Sequence, residues 1–278
     1  MAGRTVGLLL VAAAGLLTAG PPVRQSGQVL LATTTSTRDA GLLDSLLPVF
    51  ERETGYRVRV IAVGSGQALA MGRRGDADVV LAHAPEAERA LADSGFLVNR
   101  RLVMHNDFLF VGPAADPAGL RGLNDALAAI RRVAEQRATF ISRGDESGTH
   151  KLERSLWRKA GVAPAGGAAW YVESGQGMAA TLQMADQKRG YTISDRATYL
   201  AWRDKVQLVP LVEGDPLLYN VYHVMEVNPN NAPRVNTTGA RALADFLVSP
   251  AAQRLIGDFG RSRFGQSLFI PDAGKPDR

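Results

Sequence analysis

The stretch Ser142-Arg143-Gly144-Asp145-Glu146-Ser147-Gly148-Thr149-His150 gathers three kinds of hydrogen-bond donor in one short run. Arg143 can present a planar, two-pronged N–H face that matches an oxyanion. Ser147 and Thr149 offer hydroxyls, and Gly148 lets backbone N–H groups approach a ligand without interference from a Cβ. Asp145 is placed to orient the guanidinium. The plainer alternative, an Arg-Asp surface turn capped by Ser147, leaves Gly148-Thr149 without a role. Related runs occur at Thr33-Thr34-Thr35-Ser36, at Gly64-Ser65-Gly66 and at residues 173–177, each after a strand-like segment and before a helical one. The first amides of a helix have no intrahelical partner, and the peptide dipoles place partial positive charge there, so each run is a candidate anion seat. Any single Ser or Thr is equally an N-cap. Four successive hydroxyls exceed what one cap requires.

Such seats need strands and helices to aim them at one point. From Val29 the chain repeats an apolar run, a turn of Gly, Ser or Thr, and a helical pattern, as βα units do. Val29–Ala32 leads into Leu42, Leu43, Leu46, Leu47 and Phe50 at helical spacing. Tyr56–Val63 and Ala77–Ala82 read as further strands, as does Phe108–Val111. Residues 114–119 read as a crossing segment and Glu213-Gly214-Asp215-Pro216 as the turn before the return. Between them lie helices near 125–137, 148–160 and 176–188, strands at 139–142, 171–172 and 191–193, and a short helix from Asp195. After a strand at 219–227 come helices near 238–248 and 250–259 and an irregular tail. The pattern predicts an α/β fold of two lobes, each a mostly parallel sheet flanked by helices, with two hinge crossings. Residues 26–113 with 219–278 form the first lobe and 114–218 the second. In doubly wound sheets the strand ends face one crevice, where several helix N-termini can converge on one small anion.

Residues 1–25 stand apart: Arg4, an apolar run from Val6 to Ala19, and Gly20-Pro21-Pro22 follow the order of a secretory signal peptide, which predicts export to the periplasm. The run is shorter than the roughly 20 residues a membrane span needs. Composition narrows the rest. With 278 residues, 46% hydrophobic and 21% charged, disorder and a polytopic membrane protein are excluded. The formal charge of +5 is spread among acids with no basic stripe, and Trp170-Tyr171 is a lone aromatic pair, so no nucleic-acid partner is expected. With no cysteine there is no disulfide, thiolate nucleophile, zinc ribbon or lipid-modified N-terminal Cys. The four His residues, 83, 105, 150 and 223, lack metal-ligand spacing, and no hydrolase elbow, zinc-protease or P-loop motif occurs. Neither a cofactor nor a metal cation is expected. Met71, Met178 and Met184 read as core filler, and Trp170 and Tyr171 as cleft wall or second-lobe packing. His83 reads first as a hydrogen-bonded structural side chain and second as a strand-end group beside the cleft.

The ordered set Ala32-Thr33-Thr34-Thr35-Ser36-Thr37, Val63-Gly64-Ser65-Gly66-Gln67-Ala68, Asn106-Asp107-Phe108, Phe140-Ile141-Ser142-Arg143-Gly144-Asp145, Ser147-Gly148-Thr149-His150, Tyr191-Thr192-Ile193-Ser194-Asp195-Arg196 and Val227-Asn228-Pro229 resembles the periplasmic tungstate-binding proteins of ABC importers, which are related to the molybdate- and phosphate-binding receptors. The resemblance covers nearly the whole chain after the leader. It implies a type II periplasmic binding protein, a monomer, that closes over one tetrahedral oxyanion and presents it to an inner-membrane permease without catalysing a reaction. Carried over by position, Thr34, Thr35, Ser36, Ser65 and the Gly66 amide would bind from the first lobe, and Arg143, Ser147, Gly148 and Thr149 from the second, with Asp145 behind Arg143. Phosphate receptors place an acidic acceptor at a strand end where this chain reads Leu81-Ala82-His83-Ala84. A protonated oxyanion would leave its hydroxyl unpaired there, at about 1–3 kcal/mol. The expected ligand is therefore a full dianion, tungstate or molybdate, with phosphate as the alternative. The competing expectations are a periplasmic phosphoryl or sulfuryl transfer enzyme using Ser36 or Ser147 as nucleophile, and a sensory domain of the same fold.

Overall fold

The computed structural model describes residues 27–162, 164 and 167–277; the leader expected at 1–25 lies outside them. The chain begins β1 (Gln28–Thr34), α1 (Thr35–Asp39), α2 (Leu42–Thr54), β2 (Arg57–Val63), α3 (Ser65–Arg74), β3 (Val79–Ala82), α4 (Pro85–Asp93) and β4 (Leu97–Pro113). It continues α5 (Ala126–Glu135), β5 (Phe140–Ser142), α6 (Gly148–Lys159), β6 (Tyr171–Glu173), α7 (Met178–Gln187), β7 (Thr192–Asp195), α8 (Arg196–Trp202) and β8 (Leu208–Val212). Last come β9 (Tyr219–Val227), α9 (Thr237–Leu247), α10 (Pro250–Asp258), α11 (Arg261–Phe264) and β10 (Ile270–Pro271).

Among the described residues the main sheet has the order β10-β4-β9-β3-β1-β2, with β7 and β8 also paired to β4, and β5-β6 form a separate ladder. Parallel pairing holds for β2-β1-β3 and β5-β6, while β3-β9, β9-β4, β4-β7 and β4-β8 are antiparallel. The sheets are thus mixed. The strand that leaves the first half and the strand that returns to it run side by side in opposite directions, which no βα repeat anticipates. Alternation is clearest in β3: Val79 and Leu81 join the cluster beneath α2 and α9, and Val80 and Ala82 join the opposite cluster with Ala68 and Leu69 of α3. Both faces are covered, so β3 is buried at every position. A third cluster packs Ala129, Ile130 and Val133 of α5 with Leu156 and Trp157 of α6 and with Phe108 and Phe110 of β4. Trp170 and Tyr171 pack on Trp157, with ring centroids 5.9 and 6.0 Å away, and so belong to this packing. Met178 lies in the core, and Met71 and Met184 pack against it.

The 17-residue β4 is the structural spine. Its pairing with β9 ends at Asp107↔Tyr219, and its pairing with β7 starts at the next residue, Phe108↔Asp195. The sequence pattern showed only 108–111 as strand, because Asn99, Arg100, Arg101 and Asn106 interrupt the apolar run. Asn99 takes a left-handed φ of 53° beside an irregularity between Val98 and Arg101. Residues 114–119, expected to cross between lobes, instead form the turn after β4. The Asp116 carboxylate accepts the amides of Leu120 and Arg121, and it accepts the Tyr191 hydroxyl at 2.9 Å. Arg196, opening α8, donates to both Asp107 oxygens at 2.7 and 2.5 Å and to Glu213 at 2.8 Å. It ties the strand that leaves to the segment that returns.

Close backbone approach explains one glycine. A Cβ on Gly112 would stand 2.5 Å from the Tyr191 ring and 2.9 Å from Leu211. Gly112→Ala is therefore expected to lower the unfolding free energy by about 1–3 kcal/mol through overpacking, measured by urea unfolding.

Candidate functional site

The register of the main sheet brings the loops together. Thr34 pairs with Val63, and Ala32 with Val80, so β1, β2 and β3 end in line. The starts of α1 and α3 and the residue after β3, His83, therefore share one edge of the sheet, at the carboxyl ends of its parallel strands.

Within the hydroxyl run, each side chain has a distinct place. Thr33 is fully buried and donates to the Leu81 carbonyl at 2.8 Å, bracing β1 on β3. Thr34, 3% exposed, accepts the Thr37 amide and lies 2.6 Å from the Thr37 hydroxyl and 3.1 Å from His83 Nε2. It serves as the cap of α1. Thr35 is exposed at the start of α1, and the Ser36 side chain lies outside what the structure describes. Next to them α3 begins with no side-chain cap on Gly64, and added methyl groups on Gly64 and Gly66 would meet nothing within 4 Å. Space is therefore open around the start of α3, where the Ser65 and Gly66 amides have no intrahelical partner. An uncapped helix start of this kind is suited to an anion.

The second donor set sits at β5–α6. Gly144 and Glu146 take left-handed φ values of 60° and 58°, which folds the loop tightly between strand and helix. Asp145 accepts from the Arg143 guanidinium and, at 3.2 Å, from the Ser147 amide. Arg143 Nε donates to the Gln176 carbonyl at 2.9 Å, so its plane is fixed from two sides. Ser147 Oγ accepts the His150 amide as the N-cap of α6. The Ser147 and His150 amides are used within the loop, and the Gly148 and Thr149 amides head the helix without an intrahelical partner. Burial pushes the Asp145 carboxyl upward, but hydrogen bonds from Ser147 and Arg143 and the guanidinium charge prevail and hold it below the usual carboxylate range. Its negative charge is directed at Arg143 and Ser147.

Two groups support the loop in ways the local pattern did not assign. Glu153, 2% exposed, accepts from Ser142 Oγ at 2.8 Å, Trp157 Nε1 at 3.1 Å and Tyr171 Oη at 2.7 Å, while Ser142 Oγ accepts the Gly144 amide. A buried carboxylate thus anchors the start of the Arg143 loop, and burial raises its pKa against those hydrogen bonds. Only its i, i+4 spacing to Trp157 and its place on the inner face of α6 hinted at this. The 173–177 run, one of the four candidate seats, braces the same loop: Ser174 Oγ donates to the Arg143 carbonyl at 3.1 Å, and Gln176 receives Arg143.

His83 joins the two sets. A Cβ on Gly148 would stand 3.2 Å from His83 Cε1, so the end of β3 lies against the first residue of α6. Thr34, His83, Gly148 and Thr149 are brought together, with Arg143 and Ser147 on the same loop. Ser65 and Gly66 flank them along the strand edge. A depression of about 660 Å³ bounded by Pro250, Gln253, Arg254, Arg261 and Pro271 lies on the α10 face, away from Thr34, His83, Arg143 and Gly148. No cluster of three or more His, Asp or Glu able to hold a metal ion occurs among the described residues. What the arrangement offers is two helix starts, hydroxyls and one guanidinium.

Known proteins share this organisation. Residues 18–251 match the model of the PBP superfamily domain. The tungstate-binding protein TupA of Peptoclostridium acidaminophilum is 47% identical over 251 residues, 90% of this chain and 87% of that protein. The solved tungstate-binding protein TupA of Desulfovibrio alaskensis G20 superposes with a TM-score of 0.83 at 45% identity, covering 89% of this chain and all of that one. A tungstate ABC transporter structure from Geobacter sulfurreducens gives 0.71 at 48% identity, over 84% and 98% of the two chains. With its mixed sheets, its two-lobed type II architecture and this breadth of identity, the chain belongs to the PBP superfamily and, within it, to the family of the tungstate-binding protein TupA.

Proposed function

We propose that this chain is an extracytoplasmic solute-binding protein that captures tungstate between its lobes and hands it to an ABC permease of the inner membrane. The observation that carries this reading is the pairing of an uncapped α3 start with the donor-rich Arg143–Thr149 loop, in which the Asp145 carboxylate is bound to Arg143 and Ser147. A tetrahedral dianion satisfies such donors without needing an acceptor. The named relatives support tungstate as the guest and an ABC importer as the destination. Closure would act about the Asp107–Phe108 partner change on β4 and the return through Glu213, which Arg196 ties together. Release unchanged, not turnover, is supported by Ser147: its Oγ is a helix cap whose partner is an amide, not a base. The leader composition supports a periplasmic site of action, and no helix of the described residues is long and apolar enough to cross a membrane.

The test is a thermal-shift series of the leader-free protein with tungstate, molybdate, phosphate and sulfate. At a hundredfold excess over Kd, a ligand of the folded state adds about 2.7 kcal/mol, which raises Tm by roughly 5–10 °C in a chain of this size. Tungstate is expected to give this shift at the lowest concentration. Phosphate acting at lower concentration than tungstate would overturn the ligand assignment.

A further inference from the structure

His83 lies at the junction of the two donor sets. Its Nε2 is 3.1 Å from Thr34 Oγ1, and its ring lies on Tyr222 with centroids 4.9 Å apart at 46°. The opposite edge of the ring faces Gly148, where an added methyl would be 3.2 Å from Cε1 and 4.0 Å from Nδ1. One imidazole therefore touches β1 and β9 on one side and the start of α6 on the other. An oxyanion seated on the first amides of α6 has this edge as an immediate neighbour.

Burial keeps the ring uncharged, with its pKa lowered to about 4. Lys151 of α6 acts in the same direction, while Glu88 of α4 and a hydrogen bond with Asn220 of β9 oppose it. Tyr222 of β9 is held as a neutral phenol by burial, and the hydroxyls of Thr34 at the end of β1 and Thr37 of α1 lie together on the same side. A dianion arriving beside the Nδ1–Cε1 edge would stabilise the imidazolium, because an opposite charge within hydrogen-bonding range favours the charged form.

We propose that His83 is a specificity-determining contact of the anion seat, meeting the bound oxyanion from the β3 side and taking a proton from solvent as a doubly charged guest enters. The proposal rests on the oxyanion-binding reading above. Linkage sets the sign. The group binds more protons in the loaded protein than in the empty one, so affinity rises as pH falls through the loaded-state pKa and levels off below the empty-state value near 4. Singly charged tetrahedral anions such as perrhenate would draw the proton less strongly.

Calorimetric titration of the leader-free protein with micromolar tungstate at pH 6.5, in two buffers of different ionisation enthalpy, measures the proton directly. Wild type is expected to take up a measurable fraction of a proton, less with perrhenate. His83→Gln should take up none and bind tungstate about tenfold more weakly, the size of one lost hydrogen bond. Its affinity should also be flat from pH 6 to 8 where that of wild type strengthens toward pH 6. His83→Asn, which keeps a polar group nearer the backbone, serves as the second variant should the first melt early without ligand. Equal proton uptake and equal affinity in wild type and variant would overturn the proposal while leaving the tungstate reading intact. No binding of any oxyanion by wild type would defeat that reading, and this one with it.

Discussion

Arg143→Gln is expected to weaken tungstate binding by roughly 100- to 1,000-fold, about 3–4 kcal/mol, while the empty protein stays folded. The asymmetry follows from where the guanidinium is spent. Among the described residues the Arg143 side chain holds the Gln176 carbonyl and Asp145, and Asp145 keeps its second donor, the Ser147 amide, when the arginine is gone. Losing exchangeable hydrogen bonds at a partly exposed loop costs about 1 kcal/mol. In the loaded protein the same change would remove the guanidinium charge proposed to meet the anion. Asp145 then faces the anion with less of its charge compensated, so repulsion adds to the lost attraction. Arg143→Glu would place a further carboxylate there and should abolish binding. The variant also alters the acid limb of stability. Asp145 is depressed in the folded state, so its contribution is present above the ordinary carboxylate pKa and lost as pH falls through the folded value; without the guanidinium that contribution shrinks. Calorimetry for affinity and melting curves from pH 3 to 7 check both parts. Affinity retained in Arg143→Gln would place the anion away from this loop.

Glu153→Ala carries the largest expected loss of stability, about 3–5 kcal/mol by urea unfolding. Its carboxylate serves the Ser142 hydroxyl, the Trp157 indole and the Tyr171 phenol beside the cluster of α5, α6 and β4, and an alanine leaves these donors facing a void. Glu153→Gln, which keeps the shape and one acceptor oxygen, should lose about 1–2 kcal/mol. Because Ser142 also receives the Gly144 amide, the alanine variant should bind tungstate more weakly even where it is still folded. If both variants unfolded like wild type, the carboxylate would be a spectator of this core and the loop would owe its shape to Ser174 and Gln176.

These effects separate what local pattern can reveal from what it cannot. The βα repeat, the helix starts after β2 and β5, and the donor chemistry of 142–150 are local properties: strand period, turn residues and capping chemistry operate within a few residues. The burial of Thr33 and Thr34 is different. Of the four successive hydroxyls, these two turn inward to bind Leu81 and to cap α1, and only the register of β1 on β3 decides which way each points. The same holds for Glu153, a charged residue on an amphipathic helix until Ser142, Trp157 and Tyr171 close around it, and for the 173–177 run, which has the composition of an anion seat and the contacts of a brace.

By itself, then, the sequence determined the α/β alternation, the leader-like start and the donor inventory of an anion seat, because each depends on neighbours along the chain. Tertiary structure alone decided that β4 runs unbroken through both halves and changes partner at Asp107–Phe108, and that His83 meets Gly148 across more than sixty positions of sequence. Those outcomes depend on which distant strands and helices pack together, and packing free energy is summed over contacts that no local window contains.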